Sequence, residues 1–244
     1  MSGAELIRAP VLYDHAGILA LNKPAGFLSH PNPASPSSGK SRCVVNGRYD
    51  EDERAFTGGN EKLYLLHRLD LETSGVLLLC RDAALAAQMR DLFAKRHVRK
   101  FYVALLEGAP KEGRQGRWLD HLEKKAGRRR AEVEVVRAGK PNAELRFRVT
   151  RAFPSLRLTL LDIELITGLT HQIRVQAASR YCPVMGDSLY GHFPANRRMK
   201  KAFGLHRMFL HAARVEFQHP ATRQRVIVKA PLPEELELVL NRLR

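Results

Sequence analysis

Short segments in which apolar and polar residues alternate constrain the fold of this chain more than any other feature. Residues 132–136 and 144–149 alternate in this way, which places Leu145, Phe147 and Val149 on one side of a strand. In SLRLTLLDIELITG the alternation slips by one residue after Leu160, and either a β-bulge or burial of both strand faces would produce that slip. Apolar runs predict further strands at residues 18–21, 76–79 and 101–106.

Helical spacing occurs in fewer segments. Residues 83–95 have helical spacing, and HQIRVQAAS continues a helix that Thr170 can cap. A last amphipathic helix is marked by Leu236, Val239, Leu240 and Leu243. Strands and helices do not alternate in a regular βαβ rhythm. The sequence therefore predicts an α+β fold with a mixed, mainly antiparallel central sheet and flanking helices.

Residues 32–60 are polar and rich in Ser, Gly and Pro. The apolar segments on either side are too short to form cores of their own. We therefore predict a mobile loop at residues 32–60 within a single domain that spans residues 1–244.

Basic residues are in large excess, since 41 Lys and Arg stand against 25 Asp and Glu and give a formal charge of +16. This charge predicts a polyanionic partner, either nucleic acid or a membrane surface. The basic residues cluster at residues 95–100, 114–130 and 197–207. Any one cluster could instead be a solvated face.

The sequence lacks the features of a membrane or secreted protein. No apolar run approaches the roughly 20 residues that a spanning helix needs, and the first residues do not have the layout of a secretory signal. Cys43, Cys80 and Cys182 are far apart and form no metal-binding pattern. We expect a cytoplasmic protein with reduced thiols and no disulfide framework or zinc site.

The stretch HRLDLETSG, residues 67–75, exposes Asp70 between two apolar runs. In an extended segment Arg68 and Asp70 would project to the same face. A carboxylate beside guanidinium groups stays ionised at neutral pH, so Asp70 is a candidate nucleophile or stabiliser of positive charge. Taken alone, an aspartate in this position is most often a turn residue or a cap, and the neighbouring residues are what favour catalysis.

Two other residues also allow either a functional or a structural interpretation. Arg174, in GLTHQIRV, lies in the first turns of the predicted helix, and it is either a functional cation or a surface arginine. Tyr102, in KFYVALLEG, is either a buried strand tyrosine or an aromatic ring that stacks on an unpaired base.

The order of these motifs resembles the RluA-type pseudouridine synthases across residues 10–235. The matching segments are NKPAG followed by His30-Pro31, then HRLDLETSGVLLL, KFYVALLEG, GLTHQIRV and FLHAARVEFQHP. The resemblance implies the pseudouridine synthase fold and an isomerase that acts on RNA, rRNA or tRNA, without a metal or cofactor. Leu169 departs from the family, which commonly has Arg or Lys at this position.

The resemblance implies a role for each matched residue. Asp70 would be the catalytic aspartate, Tyr102 would stack on the target base, and Arg174 would pair with the aspartate. Arg68 would help to hold the flipped-out site, and Leu210 would line the uracil pocket. We further predict that Thr73 and His171 bind substrate, and that the RNA backbone contacts Arg128, Arg129, Arg130, Arg197 and Lys200.

Pseudouridine formation breaks the N1–C1′ bond, turns the base and joins C5 to C1′. The base must leave its stack for this, at a cost of a few kcal/mol. Asp70 could add to the base, add to C1′ or remove the 2′ proton, and the sequence does not separate these routes. NKPAG begins at residue 22, so we expect no separate RNA-binding domain ahead of the catalytic one, and we expect a monomer.

Two rival hypotheses belong to other classes of protein. A carboxylate-dependent glycosidase would need a second carboxylate partner, and no such motif accompanies Asp70. A non-catalytic RNA-binding module would have the basic clusters without the set of Asp70, Tyr102 and Arg174.

Overall fold

The computed structural model describes residues 6–31, 42–125 and 132–243. Thirteen strands and four α-helices are assigned within these ranges, in the following order along the chain: β1 (Val11–His15), β2 (Ile18–Lys23), β3 (Arg48–Asp50), β4 (Ala55–Gly58), β5 (Glu61–Leu65), β6 (Ser74–Cys80), α1 (Ala83–Ala94), β7 (Arg99–Glu107), β8 (Gln115–Lys124), β9 (Val133–Val136), β10 (Ala143–Phe153), β11 (Leu158–Leu165), α2 (Gln172–Ser179), α3 (Phe193–Phe203), β12 (Leu210–Gln218), β13 (Arg225–Lys229) and α4 (Glu234–Arg242).

The chain divides into two compact units. Unit 1 comprises Met1–Arg99 and Ala213–Pro231, and unit 2 comprises Lys100–Ala212 and Leu232–Arg244. The chain therefore leaves unit 1 after α1 and returns to it through β12.

Unit 1 is an antiparallel sheet covered on one face by α1. The strands β3, β4, β5 and β6 follow one another in the sheet, and β2 pairs with both β1 and β6. Asp82 caps α1, since its carboxylate accepts the backbone N–H of Leu85. The helix packs through Leu85, Ala86 and Met89 on apolar residues of β2, β6, β12 and β13. This core includes Ile18, Val76, Leu78, Val215, Phe217, Val226 and Val228.

Unit 2 has a second antiparallel sheet, in the order β7-β11-β10-β8-β9. Its larger core joins Leu105 and Phe209 to apolar residues of α3 and α4, which include Met199 and Leu236. A smaller cluster places Val175 of α2 against residues of β8, β9 and β10. These cores and sheets confirm the predicted α+β fold.

The slip of alternation near Leu160 lies opposite an irregularity in the neighbouring strand. The pairing register of β10 with β11 shifts between Val149 and Arg151, opposite Leu161 and Leu160. Thr150 is the extra residue, and its hydroxyl donates to the carbonyl of Leu160 at 3.1 Å. A β-bulge, one of the two explanations considered, therefore lies beside the slip, but β10 and not β11 provides the extra residue.

Two predictions from the sequence are corrected by the structure. Residues 32–60 are not a loop throughout, because β3 and β4 lie within them; residues 32–41 are outside the described ranges. Thr170 does not cap α2, since the N-cap is His171 in a left-handed conformation. The first residue of the helix, Gln172, instead binds the segment that precedes it, because its Oε1 accepts the backbone N–H of Leu169 and the hydroxyl of Thr167.

Within the described ranges, no helix has both the length and the apolar character that crossing a membrane requires.

Candidate active site

Asp70 lies in an irregular loop directly before β6. Its side chain is half-buried, and its backbone carbonyl accepts the N–H of Thr73 at 3.1 Å, which closes a turn. All seven residues of β6 are buried, so this strand gives the loop a fixed end. The neighbouring residues alternate as predicted for an extended segment, with Arg68 exposed and Leu69 buried.

The loop is held on both sides of Asp70 by residues at the end of β2 and shortly after it. On one side, Ser29 Oγ accepts the N–H of Leu69 and donates to its carbonyl, both at 3.0 Å. On the other side, the carbonyl of Leu71 accepts Lys23 Nζ at 3.1 Å and the N–H of Gly26 at 2.9 Å. Lys23 is fully buried, and its Nζ donates to the carbonyls of Leu71 and Pro24 in two part-buried hydrogen bonds. Asp70 therefore has a backbone position fixed by its two neighbours.

Arg68 is oriented by His30. Its Nη1 donates to His30 Nε2 at 3.1 Å, and His30 Nδ1 donates to the carbonyl of Pro31 at 2.7 Å. The imidazole is therefore neutral. Burial lowers the pKa of His30, and the positive charge of Arg68 adds to this effect. The His30 ring stacks on Tyr49 with centroids 5.1 Å apart, which fixes the acceptor in turn.

Two more residues of HRLDLETSG have clear environments. His67 is structural, because its Nε2 accepts the N–H of Leu78 at 3.0 Å and its ring packs on Phe93. Thr73 is 2% exposed, and its hydroxyl has no hydrogen-bond partner within the described part of the chain. A buried polar group of this kind costs about 1–3 kcal/mol when it stays unpaired.

In unit 2, Tyr102 and Leu210 occupy buried strand positions. Tyr102 pairs with Ile163 across β7 and β11 and is 8% exposed. Leu210 is the first residue of β12 and is 3% exposed.

Arg174 forms a buried ion pair with Asp187. Its Nε and Nη2 donate to the two carboxylate oxygens at 2.7 and 3.0 Å, a bidentate geometry. Burial alone would raise the pKa of Asp187, but the hydrogen bonds and charge of Arg174 outweigh burial and lower it. The backbone N–H groups of Leu189 and Tyr190 also donate to Asp187 Oδ1. Asp187 thus keeps its charge and fixes the guanidinium of Arg174.

Tyr190 links Arg174 to His171. The Cζ atom of Arg174 lies 5.1 Å from the centroid of the Tyr190 ring. The Tyr190 hydroxyl accepts the N–H of Val133 and lies 3.0 Å from His171 Nδ1. The structure thus brings Arg174 and His171 together in unit 2, and Arg68, Asp70 and Thr73 together in unit 1. The pairing of Arg174 with Asp70 stays a prediction.

Sequence reasoning missed Asp187, Tyr190, Lys23 and Ser29. The signal for Asp187 was the segment GDSLYG, in which a glycine precedes an aspartate able to cap its own turn. Gly186 has a φ of +78°, and a Cβ there would lie 2.1 Å from the carbonyl oxygen of Arg207. Only glycine fits at this point of the loop.

The predicted RNA-backbone residues fall into two groups. Arg197 and Lys200 are exposed on α3, opposite the buried Ala195 and Met199. Arg128, Arg129 and Arg130 lie outside the described residues. The described part of that basic cluster is β8, where Arg117 pairs with Glu144 at 2.9 Å and acidic residues alternate with basic ones.

The fold identifies the structural class to which the chain belongs. Two solved human structures share it: RNA Pseudouridylate Synthase Domain Containing 4, with a TM-score of 0.67 and 24% identity, and RNA Pseudouridylate Synthase Domain Containing 1, with a TM-score of 0.68 and 22% identity. Each alignment covers 96% of this chain, with 92% and 87% of the human chains. This likeness shows the fold, which is that of pseudouridine synthase domains.

Sequence comparison then shows the family. The family model described as RNA pseudouridylate synthase matches residues 17–179. The ribosomal large subunit pseudouridine synthase C of Haemophilus ducreyi is 33% identical over 244 residues, which cover 96% of this chain and 69% of the relative. The enzyme of the same name from Escherichia coli K12 is 34% identical, with 96% and 70% covered. The chain belongs to the RluA-type RNA pseudouridine synthases, as the motifs predicted.

Proposed function

We propose that this protein converts specific uridines of large-subunit ribosomal RNA to pseudouridine, with Asp70 as the catalytic residue. The observation that supports this most strongly is the fixed position of the Asp70 backbone. Ser29 on one side and Lys23 on the other bind the two residues that flank it. A reacting group must be placed to within a fraction of an ångström, and a loop bonded on both sides supplies that precision.

The reaction leaves the composition of the RNA unchanged. The N1–C1′ bond breaks, the base turns, C5 bonds to C1′, and the C5 proton is lost as N1 gains one. An ionised Asp70 serves each of the three candidate routes, because each needs a carboxylate that attacks carbon or accepts a proton. Membership of this family argues against the glycosidase hypothesis, because a glycosidase would hydrolyse the N1–C1′ bond and release the base.

The other site residues are assigned from the family resemblance. We assign base stacking to Tyr102, the uracil pocket to Leu210 and the support of the flipped-out site to Arg68. Stacking on an aromatic ring contributes about 1–3 kcal/mol, which offsets much of the cost of unstacking. The buried Thr73 hydroxyl gains a partner if it binds a polar atom of the substrate. We further propose that the chain acts as one catalytic domain and as a monomer.

The relatives favour ribosomal RNA over tRNA as the substrate. Those from Haemophilus ducreyi and Escherichia coli K12 are named as ribosomal large subunit enzymes. The excess charge of +16 fits a large structured RNA.

The test maps pseudouridines in rRNA and tRNA from cells with and without this gene. The expected result is the loss of one or a few sites in large-subunit rRNA, restored by the wild-type gene and not by Asp70→Asn. Loss of tRNA sites alone would refute the rRNA assignment.

In vitro, the purified enzyme should form pseudouridine without a change of RNA mass. Asp70→Asn should form none, while its RNA affinity stays within about tenfold, or roughly 1.4 kcal/mol, since the change is isosteric. Turnover above a few per cent would show that Asp70 is not central.

The role of Arg174 is best tested with the conservative variant Arg174→Lys, which keeps the positive charge. An uncharged replacement such as methionine would leave the buried carboxylate of Asp187 unpaired.

A further inference from the structure

The outer face of the β12–β13 hairpin is strongly basic. Side chains alternate along a strand, so Val215 and Phe217 enter the core of unit 1 while Arg214, Glu216 and Gln218 face outward. The residues paired with these three on β13 are Lys229, Ile227 and Arg225.

Glu216 lies at the centre of this face and is only 5% exposed. Three arginines cover it: Arg225 Nη2 lies 2.9 Å and Arg99 Nη1 3.6 Å from Oε2, and Arg214 Nε lies 3.2 Å from Oε1. Their own side chains remain well exposed, at 69%, 53% and 37%. The carboxylate of Glu216 therefore helps to orient three guanidinium groups that face solvent.

The cluster has an excess of positive charge. Burial alone would raise the pKa of Glu216, but the hydrogen bond from Arg225 and the charges of the three arginines outweigh burial and lower it. Three arginines and one ionised carboxylate have a net charge of +2, and the exposed Lys229 brings this face to +3.

A contrasting cluster in the same unit shows that this arrangement is not general. Arg81 binds Asp14 at 2.8 Å and Glu61 at 3.2 Å, so that one cation faces two carboxylates. This group has a net charge of −1, opposite in sign to that of the Glu216 cluster.

We propose that the surface formed by Arg99, Arg214, Arg225 and Lys229 binds backbone phosphates of the RNA substrate. The proposal rests on the proposed function for the identity of the polyanion. Guanidinium groups match phosphate in a bidentate manner, and groups already oriented by Glu216 lose less entropy on binding. The six paired residues of the hairpin face include no aromatic anchor, which argues against a lipid surface.

The test measures the affinity for a substrate RNA fragment as a function of salt. Removing one phosphate contact lowers the slope of log K against log salt by roughly 0.7 to 0.9. The double variant Arg99→Gln, Arg225→Gln should therefore flatten the slope by roughly 1.4 to 1.8 and weaken binding in low salt about tenfold or more. Turnover at saturating RNA should stay within about twofold, because neither residue is assigned to the reaction.

Two matched variants distinguish charge from fold. Arg81→Gln removes an arginine of the same unit and should leave the slope unchanged. Arg99→Lys with Arg225→Lys keeps the charges and should retain most of the slope, with an unchanged thermal midpoint.

An unchanged slope in the double glutamine variant would overturn the proposal, and so would equal loss in Arg81→Gln. Binding to vesicles of anionic lipid that the double variant abolishes, with RNA affinity unchanged, would assign the face to a membrane instead. These outcomes are independent of the proposed function, which fails if the wild type makes no pseudouridine while still binding RNA with the expected slope.

Discussion

Arg68 donates to His30, and this bond requires the imidazole to be neutral. Nη1 of Arg68 lies 3.1 Å from Nε2 of His30, and a guanidinium has no acceptor to offer in return. Nδ1 is committed to the carbonyl of Pro31 at 2.7 Å. The charge state of one histidine thus decides whether Arg68, two residues before Asp70, keeps its orientation.

Replacing Arg68 should raise the pKa of His30. Burial and the charge of Arg68 both lower it, and Arg68→Gln removes the charge while it leaves the ring buried. NMR titration of the imidazole carbon-bound protons measures the change. Arg54→Gln is the control, since Arg54 acts on His30 in the same direction but more weakly. A larger rise in the Arg54 variant would contradict the assigned bond.

Lys23→Met should loosen the loop that holds Asp70. The change removes the charged donor of the part-buried hydrogen bonds to the carbonyls of Leu71 and Pro24, at a cost of about 1–3 kcal/mol in the free energy of unfolding. Amide exchange at Thr73, whose N–H closes the turn at Asp70, should become faster, and turnover should fall at least tenfold. Lys62→Met, which removes a partly exposed lysine of the same unit, should change neither. Unaltered exchange at Thr73 would show that Lys23 does not hold the loop.

Asp187 should make stability depend on pH in the acid range. Its pKa is lowered in the folded protein, whereas an aspartate in an unfolded chain has a pKa of about 3.9. The unfolded chain therefore binds more protons below about pH 4, and the contribution of the ion pair to stability is lost as the pH falls through the folded pKa.

Asp187→Asn should cost about 3–5 kcal/mol at neutral pH, because it leaves Arg174 buried without its partner. Its free energy of unfolding should also fall less steeply with acid, as measured by urea unfolding at several pH values. Asp162→Asn, which breaks the exposed pair with Arg148, should cost no more than about 1 kcal/mol. Equal losses in the two variants would contradict the role of burial.

Gly186→Ala should be far more harmful than Gly113→Ala. Both glycines have positive φ, so both variants lose roughly 1–2 kcal/mol to backbone strain. At Gly186 the new Cβ would also meet the carbonyl oxygen of Arg207 at 2.1 Å, whereas nothing lies within 4 Å at Gly113. The thermal midpoint and the turnover of the two variants should therefore separate clearly, since the Gly186 variant displaces Asp187. Similar midpoints would show that the loop adapts at little cost.

Leu169→Arg should strengthen RNA binding. Leu169 is 39% exposed before α2, and its backbone N–H is bonded to Gln172, so the side chain can change without loss of packing. A new phosphate contact would raise the salt slope by roughly 0.7 to 0.9, while stability should stay within about 0.5 kcal/mol. Leu169→Gln controls for the loss of the apolar group. An unchanged slope would show that RNA does not reach this position.

Local pattern predicted those elements whose residues alternate or repeat cleanly. Residues 83–95 became α1 almost to the residue, whereas the slip near Leu160 did not show that the extra residue is Thr150 of the neighbouring strand. Elements rich in charge were missed, since β8 and α3 were noticed only as basic clusters. Their apolar residues, such as Trp118 and Met199, are buried by partners distant in sequence, which local periodicity does not show.

In the candidate site, too, some residues could be identified from local sequence and others could not. Asp70, Arg68 and Thr73 belong to one contiguous motif, so spacing was enough to select them. Ser29 and Asp187 act through contacts 40 and 13 residues away, and single side chains of ordinary type give no local signal for that.

The division of unit 1 into two chain segments has a consequence for its synthesis. The core around Ile18, Val76 and Met89 is completed by Val215 and Phe217, with more than a hundred residues between the two segments. At roughly 5–20 residues per second a ribosome needs several seconds to make the intervening part. During that interval the first segment of the nascent chain exposes apolar surface that its own residues cannot cover. A chaperone that binds this surface would protect the chain until β12 and β13 emerge.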